Sequence, residues 1–96
     1  MIIKLLPEAE NDLYEALDYY KEIDISLKNN FINDLDNTFD KILKFPNLYP
    51  FETKTSQKIL MNKFPYIILY EKYNEIIMIL AIFHTKRDPK DLYTRI

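Results

Sequence analysis

The sequence predicts an α+β domain in which a helical hairpin packs on one face of a mostly antiparallel four-stranded sheet. Three observations carry this. Two β-branched segments, residues 66–70 and 76–83, are separated by the polar break Glu71-Lys72-Tyr73-Asn74-Glu75, the pattern of a β-hairpin. Both are apolar at successive positions rather than alternating, which places them inside a sheet. Upstream, two long stretches repeat apolar residues at helical spacing. The 96 residues make one domain, 1–96, organised around that hairpin.

The elements follow in the order β-α-α-β-β-β with a short C-terminal helical turn. Residues 2–6 form a short apolar strand ended by Pro7. Pro7 suits the first position of a helix, where its missing N–H costs nothing. Glu8 and Glu10 then favour the positive end of the helix dipole. Ala9, Leu13, Ala16, Leu17, Tyr20 and Ile23 share one face of a helix over 8–23. Glu8, Asp12, Glu15, Asp18 and Glu22 are assigned to a solvated acidic stripe. Asp24 and Ser26 offer N-caps for a second helix, whose apolar face is Leu27, Phe31, Leu35, Phe39 and Ile42. Asp34, Asp36, Asp40 and Lys41 are placed on its surface. Pro46 ends it, because the residue before proline is pushed out of the helical region. So brief a connection makes the two helices antiparallel neighbours. Residues 47–56 are a loop, and strands follow at 57–62, 66–71 and 76–83. Asn74 tolerates the positive φ that the intervening turn needs. Asp88 and Pro89 are the cap and first residue of the terminal helical turn. Two helices cover one sheet face; the loop and tail, or another chain, must cover the other.

Composition narrows the function classes. There is no glycine, which removes the Gly-rich phosphate loops, and no cysteine, which removes thiolate chemistry and disulfides. With one histidine, a protein zinc site would draw on carboxylates for its remaining ligands, an uncommon arrangement, so neither metal nor cofactor is expected. The opening residues are too short for a signal-peptide core, and the longest apolar run, 76–83, is far below a membrane span. A cytoplasmic protein with no membrane partner is expected. Charge is unevenly placed: residues 1–53 carry five lysines against eleven carboxylates, a net of −6, while 54–96 carry eight cations against four, a net of +4. The second half is suited to an acidic partner, unless the imbalance is solvation alone.

Candidate functional residues gather after the fourth strand. His84, the only histidine, stands at its end and by strict alternation shares a face with Ile76, Met78, Leu80 and Ile82. It suits acid–base chemistry near neutral pH, or else is a half-buried side chain bonded to backbone. Lys86 and Arg87, with Lys58 and Lys63 from neighbouring strands, are candidate target- or phosphate-binding cations; the alternative for each lysine is an ordinary surface position. Arg87 is one of only two arginines. Tyr93 joins His84 and Arg87 as a catalytic candidate if the tail folds back, and is otherwise a packing tyrosine. Asp88 and Asp91 are cap and first-turn residues.

Several segments resemble the RelE/ParE superfamily of toxins from bacterial type II toxin–antitoxin modules. Leu6-Pro7-Glu8-Ala9-Glu10-Asn11-Asp12-Leu13 is similar to the opening of that family's first helix, and Leu17-Asp18-Tyr19-Tyr20 to the aromatic pair that follows. Phe45-Pro46-Asn47-Leu48-Tyr49-Pro50 resembles its helix-ending loop. Lys63-Phe64-Pro65-Tyr66, followed by Leu69-Tyr70, resembles its third strand. Phe83-His84-Thr85-Lys86-Arg87-Asp88-Pro89 resembles the His-x-x-Arg-Asp-Pro ending of the ParE-like side. The pieces span nearly the whole chain in the right order. The resemblance implies a helical hairpin on an antiparallel sheet and a cognate antitoxin wrapped around the toxin, as a hetero-oligomer or beside a homodimer. Operator DNA would be reached only through the antitoxin. It implies one of two targets. RelE-like members cut mRNA on the ribosome without a metal, using lysines, arginines and sometimes a tyrosine; ParE-like members poison DNA gyrase. Lys58, Lys86, Arg87 and Tyr93 fall where the ribonuclease members carry such residues, but Ile67 stands where they carry an arginine. The acidic pI of about 5.3 and the His-x-x-Arg-Asp-Pro ending favour the ParE-like side. A third expectation is a remnant that binds antitoxin and poisons nothing.

Overall fold

The computed structural model describes residues 1–95. Strand β1 (Ile2–Leu5) leads into helices α1 (Pro7–Ile23) and α2 (Ile25–Lys44), followed by β2 (Ser56–Leu60), β3 (Tyr66–Tyr73), β4 (Ile76–His84) and the short helix α3 (Pro89–Tyr93). The sheet order is β1-β4-β3-β2, with β1 parallel to β4 and the other pairs antiparallel. The two apolar strands are therefore the interior ones, as their lack of alternation predicts. Asn74, at φ 50°, is the left-handed residue in the β3–β4 turn.

Punctuation sets the helix limits. Pro7 occupies the first turn of α1, and the Leu6 N–H is tied to the Ile79 carbonyl at 3.0 Å. Asp24 ends one helix and caps the next: its N–H donates to the Tyr20 carbonyl at 2.9 Å, and its carboxylate accepts the Ser26 N–H at 2.8 Å. These bonds from Ser26, backbone first and hydroxyl second, hold the Asp24 carboxyl below its ordinary range. After α2, the loop 45–51 is pinned from beneath. The Pro46 carbonyl accepts from the Tyr70 hydroxyl at 2.9 Å and from Gln57 Nε2 at 2.9 Å, and Gln57 Nε2 also reaches the Tyr49 carbonyl at 3.0 Å. Burial pushes the Tyr70 hydroxyl up to about 12, so it remains a donor.

The main core lies between the helices and the sheet. Ala9, Ala16, Phe31, Leu35 and Ile42 meet Ile59, Tyr66, Ile68, Tyr70, Ile77, Ile79 and Ile82. Tyr20, Phe31, Phe64 and Tyr66 form an aromatic cluster at one end, with Phe31 and Tyr66 centroids 5.1 Å apart. A second cluster, Leu69, Ala81, Phe83 and Leu92, with Leu80 against it, lies on the opposite face. The tail covers that face by folding back and inserting Leu92, so the chain itself supplies the cover there.

Three sequence expectations are corrected. Asp12 does not belong to the solvated stripe: it is buried, and its carboxylate accepts the Ile82 N–H at 3.0 Å and pairs with Arg95 at 2.9 Å. Asp34 is not a surface residue of α2. It is buried, and its Oδ2 accepts the N–H groups of Lys63 and Phe64 at 2.8 and 3.0 Å. Both sit inward because they satisfy backbone donors that strand and turn irregularities leave free. Third, His84 does not share a face with Ile76, Met78 and Leu80. Tyr70 pairs with Ile79 and Leu69 with Ala81, so Leu80 is the extra residue of a β-bulge. Beyond the bulge the parity is reversed, and Ile82 and His84 lie on the helix-covered face with Ile77 and Ile79.

Candidate functional site

The end of β4 presents His84 and the turn after it. The His84 ring stands edge-on to Tyr66, with centroids 5.0 Å apart. Burial raises the Tyr66 hydroxyl well above its ordinary value, with Tyr20 adding to the effect, so it stays protonated. His84 Nδ1 accepts the Lys86 N–H at 3.0 Å, and the His84 carbonyl accepts the Arg87 N–H at 3.1 Å. With Nδ1 accepting, the neutral imidazole carries its proton on Nε2. The side chain is half-buried and bonded to backbone through Nδ1, and Nε2 has no hydrogen-bond partner among the described residues.

Arg87 folds back over the end of β4. Its guanidinium lies over the Phe83 ring at 4.9 Å, and Nη2 is 3.8 Å from Asp91 Oδ2. Arg87 and His84 line one small cleft of about 100 Å³, together with Asp12, Glu15, Ala16, Tyr66 and Ile82. Next to it, sharing Asp12, Glu15 and Arg87, is a wider cleft of about 480 Å³ that adds Pro7, Glu8, Asn11 and Arg95. The pair of clefts is electrostatically mixed, with three carboxylates facing two guanidinium groups. That arrangement suits polar recognition of another protein better than capture of a polyanion.

The other candidates are placed elsewhere. Tyr93 is in α3, and its hydroxyl donates to Glu52 Oε1 at 2.6 Å. Lys58 Nζ lies 2.8 Å from Glu52 Oε2. Glu52 is thereby held below its ordinary range, by Lys58 first and Tyr93 second. The Tyr93 hydroxyl is held above its own, by the bond to Glu52. Lys63 lines a shallow cleft with Phe64, Pro65 and Thr85. Its turn is joined to that of Lys86 through the Thr85 N–H and the Pro65 carbonyl at 2.8 Å. Thus His84 and Arg87 share a cleft, Lys58 and Tyr93 share Glu52, and Lys63 and Lys86 stand on adjoining turns. Asp12, Glu52 and Arg95 enter these arrangements without having been singled out in the sequence. For Asp12 a signal existed: it lies three residues after Ala9 and four before Ala16, on the buried helix face. Among the described residues, no three His, Cys, Asp or Glu side chains converge as metal ligands.

The sequence matches the model of the ParE toxin of the type II toxin–antitoxin system parDE over residues 3–89. The chain belongs to this family. A chain of the chromosomal ParDE toxin–antitoxin system from P. aeruginosa has the same fold: TM-score 0.76 at 18% identity, with 90% of this chain and 97% of that one covered. No curated protein matches. Family membership makes the chain a type II toxin component with an antitoxin as partner. The family's matched region includes His84 and Arg87 and stops at Pro89, before Tyr93 and Arg95.

Proposed function

We propose that the chain arrests growth by binding DNA gyrase through the His84–Arg87 edge and that its cognate antitoxin neutralises it. The observation that carries this reading is the engagement of Glu52. Lys58 and Tyr93, the two residues a ribonuclease mechanism would need as a free cation and a free hydroxyl, are both committed to that carboxylate. Ile67 supplies no charge where the ribonuclease members carry an arginine. Arg87 has the looser pairing, 3.8 Å from Asp91, and lies on an aromatic platform; arginine is a residue type that often anchors protein interfaces.

The test is expression of the chain alone in a bacterium, beside the Arg87→Ala and Tyr93→Phe variants. Arrest with inhibited gyrase supercoiling, lost in Arg87→Ala and kept in Tyr93→Phe, is the expected result, with both variants still binding antitoxin. Arrest with cleaved mRNA, lost in Tyr93→Phe, would establish the ribonuclease instead. No arrest by the intact chain would leave the family's antitoxin-binding remnant as the reading. A folded Arg87→Ala protein that remains fully toxic would remove this edge from consideration.

A further inference from the structure

The bulge in β4 decides which way the candidate edge faces, and one ion pair lies against it. Leu80 is the unpaired residue. Arg95 Nη2 donates to the Leu80 carbonyl at 3.0 Å. Asp12 Oδ2 accepts the Ile82 N–H at 3.0 Å. Arg95 Nη1 then bridges to both oxygens of Asp12, at 3.1 and 2.9 Å. These backbone groups, at the bulge and just after it and past the last β1–β4 pair at Ile79, are thus satisfied by two side chains that satisfy each other. One comes from the first helix and the other from the end of the chain. Asp12 is 7% exposed, so this carboxylate is committed to the interior.

The consequence concerns phase. Ile77 and Ile79 lie on the helix-covered face. Unbroken alternation would continue that face through Ala81 and Phe83 and turn Ile82 and His84 away from the helices. With the bulge, Ala81 and Phe83 lie in the second cluster, while Ile82 joins the main core and His84 meets Tyr66. Phe83, the platform under Arg87, depends on the same phase. We infer that Asp12 and Arg95 are positioning residues: together they lock the β4 bulge and so hold His84 and Arg87 in one cleft. The inference rests on the reading of that edge as the toxin's working surface. Arg95 lies past the residues, 3–89, that the family model spans.

The experiment uses purified full-length protein and the same variants expressed in a bacterium. Arg95→Gln and Asp12→Ala are compared with the conservative Asp12→Asn, which keeps an acceptor for the Ile82 N–H. In the purified proteins, the ring resonances of His84 report its position against Tyr66, and amide exchange at Ile82 reports the lock. We expect Arg95→Gln and Asp12→Ala to shift the His84 resonances and to raise Ile82 exchange at least tenfold, with circular dichroism and a cooperative melt retained. Asp12→Asn, which keeps the acceptor for Ile82 but loses the charge facing Arg95, should fall between the parent and Asp12→Ala. Growth arrest should fall in the same order, at least tenfold in Arg95→Gln. Should Asp12→Ala fail to fold, Arg95→Gln alone carries the test, because the substitution lies outside the helices and strands and keeps a polar side chain. Unchanged His84 resonances and Ile82 exchange in folded Arg95→Gln would overturn the inference, whether or not the chain is toxic. Loss of the lock with toxicity unchanged would overturn the positioning role while leaving the toxin assignment intact.

Discussion

Asp34 is 3% exposed in the middle of α2, and among the described residues no cation is paired with it. What holds its carboxylate is backbone: the N–H groups of Lys63 and Phe64 at the turn before β3, 29 and 30 residues further along. Removing it leaves two part-buried donors without partners. Asp34→Ala is expected to cost about 3 kcal/mol. Thermal denaturation should record this as a fall of roughly 10 °C or more in Tm, while Asp34→Asn, which keeps an oxygen acceptor, loses much less. A melting point within two or three degrees of the parent's would show that the turn finds other partners. Asp12 and Asp34 were the residues hardest to read from sequence, for a physical reason. A carboxylate in a helix is ordinarily solvated, and what draws these two inward lies 70 and about 30 residues away. Helical register alone hints at it: Asp12 falls between Ala9 and Ala16, and Asp34 between Phe31 and Thr38, all of them buried.

The elements were more legible than the contacts between them. Pro7, Asp24 and Pro46 punctuate the helices, so the expected limits lie within a residue or two of those of α1 and α2. The apolar hairpin and the Asp88–Pro89 start of α3 were equally plain. The bulge was not, because a run with no alternation carries no phase: Ile76 to Phe83 is apolar at every step. The docking of α3 was not legible either, since Tyr93 and Glu52 are 41 residues apart. That docking should have a pH window. Glu52 sits below its ordinary 4.5, and a depressed carboxylate contributes stability present above the unfolded value and lost as pH falls through the folded one. Tyr93 sits above its ordinary 10.0, and a raised phenol contributes stability present below the unfolded value and lost as pH rises through the folded one. The anchor is therefore whole between about pH 4.5 and pH 10 and weakens on either side. The Tyr93 ring resonances should hold steady across that window and move toward those of a free tail in acid. Glu52→Gln should remove the acid-side movement. A transition unaffected by Glu52→Gln would assign it to another group.

Across the whole molecule, the net charges of −6 over residues 1–53 and +4 over 54–96 bear on the antitoxin. The segment that lies on the second half is expected to be acidic. The dissociation constant should then rise with added salt, since exposed charge pairs are screened over about 8 Å at physiological ionic strength. Titration calorimetry at several salt concentrations measures the slope. A flat response would make apolar burial the main source of affinity, with Leu48, Phe51 and Leu60 the exposed apolar residues to examine first.

The pairing of β1 with β4 has a consequence in time. Ile2 is matched with Ile76, and Asp12 is matched with Arg95. Both contacts join residues made far apart in time. At roughly 5–20 residues per second, β1 waits on the order of 4–15 s for the strand it must lie beside. Until then α1 and α2 have only β2 and β3 to cover, and the edge that carries His84 and Arg87 does not exist. Synthesis is thus itself a delay, during which the apolar helix faces are open to whatever binds them first.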